Sequence, residues 1–216
     1  MLMKRVLALL LMVLFLGCQR PETNLLENPS FEEGEEPWFW IKTSVYWQGF
    51  HISDQTARTG GKSCLTFLEA SPQPQGTLVV GAVQEIVTSD VPEKVSGYYY
   101  VKTWEKTSET MYIQVVVIFF QEEDYNSPST QLRYILAGIS KRPFAIENAK
   151  FIFVTREEPE TGKWIYFERN LKEDLINMWG EIPSFKRIGI YLEVRYDSVP
   201  LDVIKAEVYW DDIFVG

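Results

Sequence analysis

The two ends of the chain decide the fold: NLLENPSFEEGEEPWFW at Asn24–Trp40 and AEVYWDDIFVG at Ala206–Gly216. The first stretch combines a short apolar run, a Phe-Glu pair, an acidic turn and three aromatic residues. The second places two adjacent aspartates inside an alternating apolar pattern, which is typical of a strand. A carboxylate among apolar neighbours needs a hydrogen-bonding partner or a cation. We therefore expect the two ends to meet in space, with the N-terminal stretch as the first strand.

Nine segments of the chain, the C-terminal one included, are rich in β-branched and aromatic residues, and turn sequences separate them. This pattern predicts antiparallel strands. LRYILAGI also fits the spacing of a helix, but we interpret it as a strand. Phe151–Arg156 and Lys163–Glu168, on either side of EEPETG, predict a hairpin. The nine segments are SCLTFLE (63–69), TLVVGAVQEIV (77–87), VSGYYYVKTW (95–104), MYIQVVVIFFQ (111–121), LRYILAGI (132–139), KFIFVTRE (150–157), KWIYFERNL (163–171), RIGIYLEVRY (187–196) and AEVYWDDIFV (206–215).

One helix is predicted after the seventh of these segments. Asn170 is a suitable N-cap, Glu173 follows three residues later, and Gly180 can end the helix. The apolar residues between them share one helical face; they are Leu171, Leu175, Ile176 and Trp179. Many strands and one short helix predict an all-β fold, a β-sandwich of the jelly-roll kind.

Composition excludes several classes of function. The chain has 216 residues and a formal net charge of −9, without a run of basic residues, so nucleic acid is not an expected partner. His51 is the only histidine, and neither a nucleophile elbow nor a phosphate-binding glycine loop accompanies it. We therefore expect no enzymatic activity. Cys64 lies in an apolar context and is expected to be a buried thiol.

The first residues have the features of a targeting segment. Lys4 and Arg5 precede an apolar run, Val6–Leu16, that is too short for an ordinary transmembrane helix. Gly17-Cys18 follows, so the segment resembles a bacterial lipoprotein signal, although Phe15 stands where Leu is usual. An uncleaved anchor or ordinary secretion is the alternative. The sequence thus predicts a signal peptide at 1–17, a tether at 18–23 and one domain at 24–216, anchored to a membrane of the bacterial envelope through lipid on Cys18 and exposed outside the cytoplasm.

Four motifs appear in an order that is seen in one superfamily: NLLENPSFEEG followed by Trp, TGGKSCLTF, VSGYYYVK and VYWDDIFVG. They resemble the carbohydrate-binding modules with a galactose-binding-like jelly roll, the group of families four, nine, sixteen and twenty-two. The resemblance spans nearly all of 24–216. It is more specific for the fold than for sugar binding, because one fold hosts many functions.

The resemblance also implies a structural Ca²⁺, which oxygen ligands would hold. The matching positions are Glu32, either Asp211 or Asp212, and backbone carbonyls in the Thr59–Lys62 turn, that of Lys62 among them. Alternation along the strand favours Asp211. In the alternative interpretation these acids are solvated or accept hydrogen bonds from loop amides.

Sugar recognition needs aromatic rings beside planar polar groups, and outward positions of three strands offer both. If these strands are neighbours in one sheet, their outer face is the predicted site for an oligo- or polysaccharide. The apolar run Val116, Ile118 and Phe120 on the same face instead suggests coverage by an insertion or by a protein partner. A face sealed by the helix or by 121–147 would favour a structural or protein-interaction module. The predicted sugar-binding residues are Tyr98, Tyr100, Trp104, Tyr112, Gln114, Tyr191, Glu193 and Arg195.

Overall fold

The computed structural model describes residues 23–44, 46–70, 76–106, 110–122, 127–197 and 204–216. The predicted signal peptide, the lipidated Cys18 and all but the last residue of the predicted tether lie outside these ranges. In the described part of the chain no helix is long and apolar enough to cross a membrane.

Eleven strands and one helix make up the described chain, and the nine predicted strands are confirmed as the last nine of them. The ambiguous LRYILAGI is a strand. The elements are β1 (Trp47–Gln48), β2 (His51–Ser53), β3 (Ser63–Ala70), β4 (Leu78–Val87), β5 (Lys94–Glu105), β6 (Met111–Phe120), β7 (Ser129–Ala137), β8 (Ala149–Phe153), β9 (Trp164–Asn170), α1 (Leu171–Trp179), β10 (Arg187–Tyr196) and β11 (Ile204–Val215).

The strands form two sheets packed face to face. The six-stranded sheet has the order β1-β4-β10-β6-β7-β8, and the five-stranded sheet has the order β2-β3-β11-β5-β9. Two pairs, β1 with β4 and β7 with β8, are parallel, so the prediction of antiparallel strands holds only for the other pairs. The predicted hairpin is wrong, because β8 belongs to one sheet and β9 to the other. Residues 154–163 instead cross the side of the sandwich.

The core lies between the sheets and is built from alternate residues of each strand. On β6 the inward side chains include Ile113, Val115 and Val117, and on β11 they include Val208 and Trp210. All five are fully buried. Cys64 is buried in the same core and is a free cysteine, as expected.

The predicted helix is confirmed, including both of its ends. The side chain of Asn170 accepts a hydrogen bond from the Glu173 backbone N–H at 2.9 Å, which satisfies one of the free donors of the first turn. Gly180 ends the helix at φ 82°, where a side chain would be strained. Leu171 and Leu175 anchor α1 in the core.

The two ends of the chain meet, as the sequence predicts. The Asn24 side chain donates to the Ile213 carbonyl at 2.8 Å and accepts from the Val215 N–H at 3.0 Å. The Leu25 N–H donates to the Val215 carbonyl at 2.8 Å. The N-terminal stretch does so as a series of turns and bends, so the expectation that it forms the first strand is wrong.

Candidate functional site

The eight residues predicted to bind sugar lie in two different sheets, so the prediction that they share one face is wrong. Those on the neighbouring strands β6 and β10 share the outer face of the six-stranded sheet, which we call the covered face. Those on β5 belong to the five-stranded sheet, whose outer face we call the open face. The first group is Tyr112, Gln114, Tyr191, Glu193 and Arg195, and the second is Tyr98, Tyr100 and Trp104.

Trp104 does not share a face with Tyr98 and Tyr100, because β5 contains an irregularity. The register with β11 shifts at Lys102, so the strict alternation of side chains is interrupted there. Trp104 consequently packs against the edge of the core and donates from its indole Nε1 to Glu158 Oε2 at 2.8 Å. A bulge of one residue cannot be found from the period-two pattern alone.

The centre of the covered face is a buried polar network. Gln114 is fully buried and Glu193 is 2% exposed; they lie opposite each other on β6 and β10, and the Gln114 amide donates to the Glu193 carboxylate. Next to them, the Tyr112 hydroxyl and the Arg195 guanidinium both donate to Asp197, with Arg195 Nε at 2.9 and 3.0 Å from the two carboxylate oxygens. Burial raises the pKa of Tyr112, so its hydroxyl keeps its proton.

Two polar atoms of this network have no partner among the described residues. They are Oε1 of Gln114 and Nη1 of Arg133. Arg133 lies on β7, is 9% exposed, and uses its Nε to donate to Gln131 at 3.0 Å. Burial lowers the pKa of Arg133, although the nearby Glu193 opposes that shift. A buried acceptor and a buried donor without partners are unusual in a folded protein and point to a water or a ligand.

Aromatic side chains border the network on both sides. Phe144 lies over the Arg195 and Arg133 guanidinium groups, with its ring centroid 4.9 and 5.5 Å from them. On the other side Trp47 packs edge-on against Tyr191, with 6.1 Å between ring centroids. A groove of about 410 Å³ opens beside Trp47 and Arg195, and Tyr46, Thr77 and Val79 complete much of its wall.

The apolar half of the covered face is sealed by the chain itself. Val116, Ile118 and Phe120 form a buried cluster with Val83 and Tyr191, and three side chains pack over it, namely Phe39, Ile41 and Trp47. The segment that carries them pairs with the edge of β4 through Phe39 and through β1. Of the two alternatives, coverage by an insertion or by a protein partner, this half of the face shows the first. The covering residues precede the strands that they cover and belong to neither the helix nor 121–147.

The open face carries a row of rings across neighbouring strands. Tyr100 contacts Trp164 on β9 and Tyr209 on β11, with ring centroids 5.6 and 6.1 Å apart. In the next row Tyr98 packs against Tyr166, which is 50% exposed. In the described part of the chain no hydrophobic cluster packs over these rings. The sequence does not identify Trp164 and Tyr166 as part of this face, because the predicted hairpin places β9 beside β8 instead of β5.

The acidic residues of the two ends lie together against the 58–62 turn, in an arrangement that we call the clasp. Glu32 Oε1 accepts the backbone N–H groups of Gly61 at 3.0 Å and Lys62 at 2.8 Å. Gly60 has φ 61°, and a Cβ at that position would lie 2.4 Å from Glu32 Oε1. Only glycine therefore lets the turn approach the carboxylate.

Asp211 and Asp212 occupy different environments in the clasp. Asp211 Oδ2 accepts the N–H groups of Arg58 at 2.7 Å and Thr59 at 3.2 Å, and burial, opposed by these bonds, raises its pKa to about 6. Asp212 has φ 50°, bulges out of β11, and accepts Arg58 Nη1 at 2.6 Å. Burial acts to raise the pKa of Asp212, but its bonds from Thr59, Ser30 and Arg58 outweigh that effect and lower it. Strict alternation along β11 would place Asp211 and Ile213 on the same face. The bulge at Asp212 interrupts the alternation, so Ile213 points into the core while Asp211 faces the 58–62 turn.

The clasp as arranged does not fit a calcium ion. Glu32 and Asp211 accept N–H groups of the turn instead of sharing a cation with its carbonyls, and Arg58 and Lys62 bring positive charge to the same place. Lys62 Nζ donates to the Glu32 carbonyl at 2.8 Å. The described residues contain no group of three or more His, Cys, Asp or Glu side chains suited to a metal. Calcium stays a prediction, and the observed contacts correspond to the alternative of loop amides.

No protein-family model and no curated protein matches the chain. Solved structures do. A structure of carbohydrate-binding modules from the β-sandwich superfamily is 11% identical, with a TM-score of 0.50 over 90% of this chain and 63% of that one. A family 61 carbohydrate-binding module in complex with β-1,4-galactotriose is 16% identical over 90% and 99%, with a TM-score of 0.45.

A third match is the enzymatically active domain of a bacteriophage CBA120 tailspike, 11% identical over 89% of this chain and 21% of that one, with a TM-score of 0.49. At such identities a likeness describes the fold alone. The fold is the predicted one, an all-β, jelly-roll β-sandwich, and the structure of carbohydrate-binding modules from the β-sandwich superfamily shares it.

Proposed function

We propose that this protein is a non-catalytic glycan-binding lipoprotein of the bacterial envelope, and that it binds sugar on the covered face. Lipidation of Cys18 would hold the domain at the membrane, while the face beside the groove at Arg195 would meet an oligo- or polysaccharide. The fold is compatible with this function without requiring it.

The observation that carries the proposal is the pair of buried atoms without partners. Gln114 Oε1 can accept from a sugar hydroxyl, and Arg133 Nη1 can donate to one. Leaving such atoms unpaired costs on the order of 1–3 kcal/mol each, so a ligand that satisfies both gains affinity and specificity. The partly buried rings of Trp47 and Phe144 beside them offer apolar surface to the faces of a pyranose ring.

A specific observation favours the second function, a structural or protein-interaction module. Gln114 and Glu193 are almost inaccessible, and the apolar half of the same face is sealed by Phe39, Ile41 and Trp47. A bound water could satisfy the two unpartnered atoms in place of a ligand. In that case the polar network would orient the strands and the covered face would bind nothing.

Calorimetric titration of the purified protein against a panel of plant and bacterial oligosaccharides tests the proposal. We expect one glycan class to bind, and we expect Arg133→Met to weaken it at least tenfold, the loss of about one charge-assisted hydrogen bond. Tyr166→Ala, on the opposite sheet, serves as the matched control and is expected to leave affinity unchanged. If the folded wild-type protein bound no oligosaccharide of the panel, glycan binding would be contradicted, and the structural or protein-interaction function would be favoured.

A further inference from the structure

A slot of about 300 Å³ lies between β9 and the segment that follows β8, away from the sugar-binding face proposed above. Its walls are mainly apolar and come from both sheets: Leu136 and Ala137 at the end of β7, Ile165 and Phe167 on β9, and Val154 after β8. Residues 154–163 cross from one sheet to the other here. The slot is therefore an opening into the side of the sandwich.

Tyr99 lies on β5 and lines the slot from within. It is 4% exposed, and in the described part of the chain its hydroxyl has no hydrogen-bond partner. Burial, and then the charge of the nearby Glu160, raises its pKa to about 12, so the hydroxyl keeps its proton. The Tyr99 hydroxyl is not among the buried polar atoms that lack a partner, so its oxygen is accessible from the slot, and a polar group that enters the slot can reach it.

Three carboxylates surround the slot, and one of them is uncompensated. Glu158 pairs with Lys106 at 2.6 Å, and Glu160 pairs with Lys163. Glu157 is exposed and forms no ion pair with any described residue, although its backbone carbonyl accepts the Gly138 N–H at 2.8 Å. The slot therefore combines apolar walls with one free negative charge at its rim, which suits a cation on an aliphatic stem.

The strand beside the slot has a free edge. β9 pairs with β5 on one side and is the last strand of its sheet among the residues that the structure describes. An exposed strand edge presents backbone donors and acceptors to an extended peptide, and neighbouring pockets then select alternate side chains. Here Ile165 and Phe167 line the slot, so a side chain of a peptide lying along β9 can enter it.

We propose that this slot binds a lysine or arginine side chain from an extended segment of a partner protein, with the peptide backbone along β9. The aliphatic stem contacts Leu136, Ile165 and Phe167, and the charged end meets Glu157 and the Tyr99 hydroxyl. A peptide fits better than a polysaccharide because the strand edge supplies backbone hydrogen bonds and the free charge is negative.

Fluorescence anisotropy with a labelled seven-residue peptide tests this proposal. The probe alternates Thr and Val around a central lysine, and the control peptide carries norleucine in place of that lysine. We expect the lysine peptide to bind at least about tenfold more tightly, since a charge-assisted bond is lost with norleucine. Glu157→Gln should remove most of that difference. Glu33→Gln, which neutralises an exposed acid near the clasp, should not.

Tyr99→Phe provides a second, independent variant. It removes only the hydroxyl that lines the slot, and it should weaken the lysine peptide several-fold without changing affinity for the norleucine peptide. Circular dichroism and the melting temperature show whether each variant is folded; Glu157 is exposed, so Glu157→Gln remains informative in any case. Equal affinity for the two peptides, no binding of either, or an unchanged preference in Glu157→Gln would overturn the proposal. None of these results depends on whether the protein binds sugar.

Discussion

The two outer faces of the sandwich carry the same kinds of residues and differ in what lies over them. On the covered face, Gln114 and Glu193 are buried, and Tyr191 is buried in a cluster against which Phe39, Ile41 and Trp47 pack. On the open face, Tyr166 is half exposed, and Tyr100 packs only beside other rings. Both faces come from strands with alternating aromatic and polar positions, so the strands alone do not determine the outcome.

The difference arises in two connecting segments. Phe39 and β1 pair with the edge of β4, and Phe39, Ile41 and Trp47 lie over the covered face. Phe144, in the connection between β7 and β8, lies over its two arginines. Among the described residues, the open face is sealed only at the corner where the clasp lies. There the Arg58 guanidinium stacks on Tyr98, 3.6 Å from the ring centroid. The connecting segments thus bury the outward side chains of the six-stranded sheet, whereas most outward side chains of the five-stranded sheet stay at the surface.

The largest expected effect comes from Glu193. Glu193→Ala removes the negative charge that faces Gln114 and the nearby guanidinium groups of Arg133 and Arg195, leaving buried polar groups unpaired. We expect a loss of about 3–5 kcal/mol in the free energy of unfolding, measured by urea denaturation. The control on the other sheet is Glu168→Ala, whose partner Lys94 lies 3.8 Å away at the surface, with an expected loss below about 1 kcal/mol. If the two variants lost the same free energy of unfolding, Glu193 would be as accessible to solvent as Glu168, and the covered face would not be sealed.

A pair of tyrosines compares the apolar parts of the faces. Tyr191 is 4% exposed on β10, and Tyr166 is 50% exposed on β9. We expect Tyr191→Ala to lower the free energy of unfolding by about 3 kcal/mol, because it leaves a cavity under Trp47, and Tyr166→Ala to lower it by less than about 1 kcal/mol. Urea denaturation of the two variants measures both values. A small loss at Tyr191 would show that the covering segment opens readily in solution.

The fold could be predicted from the sequence, but the residues that share each outer face could not. Alternation identified all nine long strands, and Asn170 and Gly180 identified the helix, because these are local signals. The pairing of β9 with β5 depends on contacts far apart in sequence, and the bulges at Lys102 and Asp212 each shift a face by one residue. The sequence does not single out Arg133, because LRYILAGI also fits a helix and its outward positions are therefore ambiguous. The apolar run at Val116 did indicate a covered face, but it did not identify the segment that carries Phe39, Ile41 and Trp47 as the cover.

The pH dependence of stability probes the sealed corner of the open face. The pKa of Asp211 is about 6 in the folded protein, above its ordinary value of 3.8, so the folded state binds more protons between these two values. The free energy of unfolding should therefore fall as the pH rises from about 4 to 6, by on the order of 2–3 kcal/mol from this residue. The difference between wild type and Asp211→Asn across that window isolates the effect from other acids. The lowered pKa of Asp212 acts at lower pH and in the opposite sense, so its contribution is lost only below about pH 4.

The smallest expected effect is that of calcium on the clasp. Backbone N–H groups and Arg58 already satisfy Glu32, Asp211 and Asp212, so a cation would have to displace donors at 2.6–3.0 Å. We expect the melting temperature to be the same in calcium and in excess chelator, and Arg58→Met to lower it because Asp212 then loses its guanidinium partner. A rise in calcium that chelator reverses would establish the predicted metal site instead. It would also mean that the 58–62 turn reorients its carbonyls toward the acids. A bound ion would then stabilise the sealed corner of the open face, whereas side chains of the protein itself stabilise the covered face.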